Sequence, residues 1–200
     1  MFWDKVAVFY NVFEKIYNGK VNRQLCTEVA NMMEHSDRVL ECACGTGMIT
    51  KYIALKCKEL IATDFSTGIL KQAKRNCKNL SNVKIKKANI MELKYKDEVF
   101  DKVVAGNVIH LLDEPYAALA ELERVCKKGG KIIIPTYVNN ENEGKPSIFV
   151  KIIEKFGAGF KYQFDYNTYK DLFVKAGYSS VEYKLVRGKI PCAIAVITKL

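Results

Sequence analysis

The chain has 200 residues, 49% apolar and 27% charged, with a formal net charge of +10. That balance belongs to an ordinary globular domain and excludes a disordered or fibrous chain. The length suits one domain with a core that needs neither disulfides nor a structural metal, and no apolar run reaches the roughly eighteen residues of a membrane span.

The opening Met1-Phe2-Trp3-Asp4-Lys5 lacks the charged stretch and apolar run of a secretory signal. The seven cysteines, at 26, 42, 44, 57, 77, 126 and 192, form no CxxC pair and no zinc-ligand spacing. They predict reduced thiols in a cytoplasmic protein. Charge is uneven: residues 71–102 hold ten Lys or Arg against four acids, a surplus of +6. Such a stretch can attract nucleic acid or anionic lipid. Here the lysines are spread over several predicted elements, so a solvated lysine-rich surface is the expectation.

In chain order, Phe2, Val6, Phe9, Tyr10, Phe13, Ile16 and Tyr17 recur at helical spacing, predicting an amphipathic helix stopped by Asn18-Gly19. A second helix is expected from about Arg23 to His35. Strands and helices then alternate. Strands are expected at Arg38–Cys42, Glu59–Thr63, Val83–Lys87, Phe100–Ala105 and Lys131–Pro135, with helices at Gly47–Lys58, from a Ser66 cap to Cys77, and at Glu114–Cys126. This rhythm implies a mostly parallel, doubly wound α/β sheet with helices on both faces. Residues 147–157 and 167–176 read as helices. Val181–Arg187 and Cys192–Thr198 read as strands whose short connection requires a hairpin, hence an antiparallel strand.

Ligands of such sheets bind at the carboxyl ends of the strands, near the point where strand order reverses. The first such end is Glu41-Cys42-Ala43-Cys44-Gly45-Thr46-Gly47. Its glycines permit a tight bend and close backbone approach. A dinucleotide fingerprint begun at Gly45 needs a third glycine at position 50, which is Thr50, and no P-loop lysine follows. Asp64 ends the second strand, where an acid can accept from both hydroxyls of a ribose, although capping near Ser66 is its plainer role. Phe65 can lie against an adenine face, and Asn89 can meet an adenine edge.

Five segments occur in register: Val39-Leu-Glu-Cys-Ala-Cys-Gly-Thr-Gly47, Ala62-Thr-Asp-Phe-Ser66, Ala88-Asn-Ile90, Phe100-Asp-Lys-Val-Val-Ala-Gly-Asn-Val-Ile-His-Leu-Leu112 and Arg124-Val-Cys-Lys-Lys-Gly-Gly-Lys131. With them the chain resembles the class I S-adenosylmethionine (SAM)-dependent methyltransferases, most closely the branch of ubiquinone and menaquinone C-methyltransferases. The likeness covers residues 1–135, and Gly177 to Lys199 fits the sixth strand and antiparallel seventh strand of that Rossmann-like fold. It implies SAM as cofactor and S-adenosylhomocysteine as product. It also implies a helical lid at 1–36, a cofactor-binding core at 37–135, and substrate-side helices with the terminal hairpin at 136–200.

By the same resemblance, Glu41 would bond the methionine amino group, and Ala43, Cys44, Gly45 and Gly47 would follow the cofactor's backbone path. Asp64 would take the ribose hydroxyls, and Phe65 and Leu70 would sandwich the adenine. Asn89 and Ile90 would meet the adenine edge, Asn107 with Val108 would lie beneath the methionine moiety, and Tyr10 would close over the methyl group. Two positions depart from the family pattern: Ala43 replaces the commonest glycine of the loop, and Asn89 the usual aspartate.

His110, on the same rim, is the one candidate base, although a wall or orienting role is the expectation for it. The aromatics Phe156, Phe160, Tyr162, Phe164, Tyr166, Tyr169 and Phe173 divide between core and a lid hinged at Gly157 and Gly159. A small molecule is the expected acceptor, with nucleic acid not expected and the oligomeric state left open. The alternatives are an RNA or lipid methyltransferase using the basic 71–102 face, a non-catalytic SAM-binding protein, and a nicotinamide-dependent oxidoreductase.

Overall fold

A computed structural model describes residues 18–139 and 161–200. The helix expected over Phe2–Tyr17, with Tyr10, and the one expected over 147–157 lie outside the described residues, as do Gly157 and Gly159.

The described chain runs α1 (Gly19–Ala30), β1 (Arg38–Cys42), α2 (Thr50–Ile53), β2 (Glu59–Asp64), α3 (Thr67–Asn76), β3 (Val83–Lys87), β4 (Phe100–Ala105), a 3-10 turn (Ile109–Leu111), α4 (Pro115–Val125), β5 (Cys126–Tyr137), α5 (Tyr166–Lys175), β6 (Val181–Val186) and β7 (Cys192–Thr198). The seven strands form one sheet in the order β3-β2-β1-β4-β5-β7-β6. All pairings are parallel except those of β7, which runs antiparallel to β5 and β6. The expected hairpin is therefore present, with Val186 opposite Cys192 at its closed end.

Successive residues of the central strands feed opposite faces. Leu40, Val103, Ile132 and Ile134 pack with Leu119 and Leu122 of α4 and Phe173 of α5. Val39, Val104 and Ile133 pack on the other face with Leu25 of α1 and Ile53 of α2. Covered on both sides, these strands read as continuous apolar runs rather than alternating ones. Of the aromatics between 156 and 173, Phe164, Tyr169 and Phe173 are core, while Tyr162 is exposed. The Tyr169 hydroxyl donates to the Ile134 carbonyl inside the sheet. Among the described residues no helix is long and apolar enough to cross a membrane.

Element ends differ from expectation for local reasons. The helix expected over Gly47–Lys58 keeps only the turn Thr50–Ile53. After it, Leu55 and Lys56 bond back three residues, to Tyr52 and Ile53, and Lys58 pairs with the Asp37 carbonyl. Three-residue spacing tightens and ends a helix. The same pattern at Met32 and Met33 ends α1 well before His35. Strand β5 begins at Cys126 rather than Lys131, because Cys126 already pairs with Phe100 before a bulge resets the register to Lys102 and Lys131.

At the amino end of the sheet, Lys102 Nζ lies 3.3 Å from Asp37 Oδ1, both side chains nearly buried. The other Asp37 oxygen accepts from the Glu34 amide at 2.7 Å. Removing one partner strands a buried charge. Lys102→Ala is expected to destabilise the protein by about 3 kcal/mol, measured as the shift in a urea unfolding midpoint.

Candidate functional site

Strand order reverses between β1 and β4, and the loops leaving their carboxyl ends diverge around a crevice. The loop after β1 turns through three alternate residues with left-handed backbone: Ala43 (φ 53°), Gly45 (φ 56°) and Gly47 (φ 88°). The two glycines serve different ends. A Cβ on Gly45 would meet nothing within 4 Å, so its backbone borders open space; on Gly47 it would lie 2.7 Å from Cys77 Sγ at the end of α3. Gly47 thus lets the loop pack against α3 rather than admitting a ligand.

Asp64 ties this loop to the next. Its Oδ2 accepts from the Gly45 amide at 3.0 Å and its Oδ1 from the Ser66 amide at 2.9 Å. The cap of α3 is Ser66 itself, whose Oγ accepts from Ile69 N at 3.2 Å. The carboxylate thus ties the two loops together and lines the cavity.

That cavity encloses about 390 Å³. Of the residues singled out in the sequence, Glu41, Ala43, Cys44, Gly45, Asp64, Phe65, Asn89, Ile90, Asn107 and Val108 all line it. Phe65 is 53% exposed at the rim, with Lys87 Nζ 5.4 Å from its ring centre. Asn89 turns its own Oδ1 back to accept from the Met91 amide at 3.1 Å. Asn107 carries φ 53°, and its buried Oδ1 has no hydrogen-bond partner among the described residues.

Three expectations need correction. Leu70 does not reach the wall; it is buried with Cys44, Ala62 and Ala73, and Ile69 lines the cavity instead. One residue along a helix turns a side chain by about 100°. Gly47 is displaced from the wall by its packing on Cys77. His110 is 5% exposed on the 3-10 turn and is not among the lining residues. Burial lowers its pKa to about 4, so it is neutral at pH 7, and its carbonyl accepts from the Lys161 and Tyr162 amides. Tyr10 lies outside the described residues.

Sequence reasoning missed the apolar walls supplied by Met48, Ile49, Ile69, Leu111 and Leu112. It also missed Thr50, read there only as an absent glycine. Thr50 is fully buried, and its hydroxyl donates to Glu41 Oε2 at 2.7 Å.

Glu41 is the electrostatic centre of the cavity. It is 1% exposed, and its pKa is pushed up to about 8. Desolvation raises it most, the Thr50 hydrogen bond pulls it down, and the Asp64 charge pushes it up. Burial likewise drives the thiol of Cys42 up to about 12 and raises that of Cys44, so both are neutral packing groups at pH 7.

Residues 40–134 match the family model of the methyltransferase domain. That stretch is just under half of the chain, and over it the chain is similar to the methyltransferase domain family. A demethylmenaquinone methyltransferase of Renibacterium salmoninarum is 26% identical over 211 aligned positions, covering 93% of this chain and 86% of that protein. A phosphatidylethanolamine N-methyltransferase of Cereibacter sphaeroides is 32% identical over 108 positions, covering 52% of this chain and 53% of its relative. The crystal structure of a SAM-dependent methyltransferase from Aquifex aeolicus superposes with a TM-score of 0.66 at 18% identity, covering 88% of this chain and 89% of that one, and shares its fold.

The cavity's chemistry fits the cofactor of this methyltransferase family. A buried acid with a raised pKa is a latent partner for an ammonium group, because an arriving cation favours its charged form. The buried Asn107 oxygen lacks a donor, a deficit that a bound polar ligand can relieve. Asp64 lines the same cavity on the neighbouring strand, and Phe65 offers an exposed ring.

The raised pKa fixes a pH dependence. Between about 4.5 and about 8 the folded methyltransferase holds a proton on Glu41 that the unfolded chain releases. Stability therefore declines as pH rises through that window. Glu41→Gln, which cannot ionise, is expected to be more stable than the parent protein at pH 8, the gap closing towards pH 5. Thermal unfolding of both proteins across that range measures the difference.

Proposed function

We propose that this methyltransferase holds SAM in the 390 Å³ cavity and transfers its methyl group to a lipophilic small molecule of the quinol class. The observation that carries the cofactor part is the convergence of Glu41, Gly45 and Asp64 on one cavity, joined through the Gly45 amide–Asp64 bond. Glu41 would hold the amino end, Asp64 the ribose, and Phe65 with Ile69 the adenine, with Asn89 and Ile90 at its edge.

When bound, SAM supplies a methyl group already activated by its sulfonium, so the protein's contribution is placement and exclusion of water. The left-handed backbone at Ala43, Gly45 and Asn107 sets the contour of the wall. Met48, Ile49, Val108, Leu111 and Leu112 make the rest of it apolar, which suits a flat, weakly polar acceptor and keeps bulk water out. The acceptor class is supported by the relatives: one acts by name on demethylmenaquinone and another on phosphatidylethanolamine, both with long apolar tails.

Two outcomes are expected. Asp64→Ala loses about tenfold or more in SAM affinity through the loss of charge-assisted hydrogen bonds; unchanged calorimetric binding would refute the ribose role. In a cell extract given methyl-labelled SAM, label accumulates in the lipid-extractable fraction. Label confined to RNA or protein would overturn the acceptor assignment.

A further inference from the structure

The hydrogen bond from Thr50 to Glu41 joins the short helix α2 to the end of β1 across the floor of the cavity. Position 50 is where a dinucleotide-binding loop carries a third glycine, whose lack of a side chain lets helix and strand pack closely. Here a hydroxyl fills that space. Thr50 is fully buried and is not itself a lining residue, while Glu41 is. The hydroxyl engages Oε2 at 2.7 Å, with the Thr50 backbone amide also acting on the carboxyl, so Oε1 is the oxygen that does not accept from the hydroxyl.

We propose that Thr50 is a positioning residue, one that fixes the Glu41 carboxyl so that Oε1 is aligned for the ammonium of the cofactor's amino acid end. This rests on the cofactor reading above. A glutamate carboxyl on three rotatable bonds samples several rotamers, and a donor locked in the core removes that freedom before the ligand arrives. A hydroxyl donor also favours the ionised acid that an ammonium requires. Its effect falls on the amino acid end alone, since the adenosine contacts lie on β2, α3 and the segment after β3.

Two ligands separate positioning from folding: S-adenosylhomocysteine, which carries the amino acid, and 5′-methylthioadenosine, which lacks it. Calorimetry of the parent protein, Thr50→Val and Thr50→Ser with each ligand tests the assignment. Thr50→Val keeps the shape and removes the donor. It is expected to weaken S-adenosylhomocysteine by about tenfold or more, while 5′-methylthioadenosine stays within about twofold and Thr50→Ser recovers most of the loss. Equal losses for both ligands would reveal a purely structural residue, and no loss for either would reveal an idle one; each overturns the proposal and leaves the cofactor reading standing. Failure of the parent protein to bind S-adenosylhomocysteine would overturn both.

Discussion

The reversal of strand order about β1 is the constraint on which the rest depends. Helices that follow β1 and β2 cross one way and those that follow β4 cross the other, so the loops at their carboxyl ends part and leave space between them. The carboxylate at the end of β2 braces one side of that space by binding the amide of the β1 loop. On the other side the Asn107 amide donates to the Pro135 carbonyl at 2.8 Å, fastening the β4 loop to β5. The cavity is thus framed by hydrogen bonds between neighbouring strand ends, each made by residues within three positions of their strands.

The cost of this frame is concentrated where it does chemical work. Among the described residues, two of the three non-glycine positions with left-handed backbone, Ala43 and Asn107, stand on the cavity wall. Such conformations persist only where surrounding contacts impose them. Ala43 is held between the buried end of β1 and Cys44, whose amide pairs with the Thr63 carbonyl at 2.8 Å. Asn107 tolerates the conformation better than most residues.

Much of this was legible in the sequence, and the exceptions follow a rule. The strands were readable because burial on both faces demands continuous apolar runs, and the hairpin because four residues between strands allow nothing else. Ten wall residues were readable because they sit at strand ends, where position in the sequence fixes position in space. Leu70, carried over from the resemblance, gives way to Ile69 because one step along a helix turns a side chain by about 100°. Thr50 was legible only as a missing glycine. Its role arises from a contact nine residues away, made after a loop whose backbone no local pattern specifies. His110 marked the right segment, but the turn at Ile109–Leu111 carries its imidazole into the interior.

The sheet's open margin at β3 has a consequence of its own. Three of its five residues, Lys84, Lys86 and Lys87, are exposed cations, and among the described residues Lys84 pairs with Glu59 at 2.6 Å. A second molecule approaching this edge would set ammonium against ammonium along its unpaired row of backbone groups. The surplus of lysine in this part of the chain therefore acts as insulation at the β3 edge, opposing its extension by a strand from a neighbour.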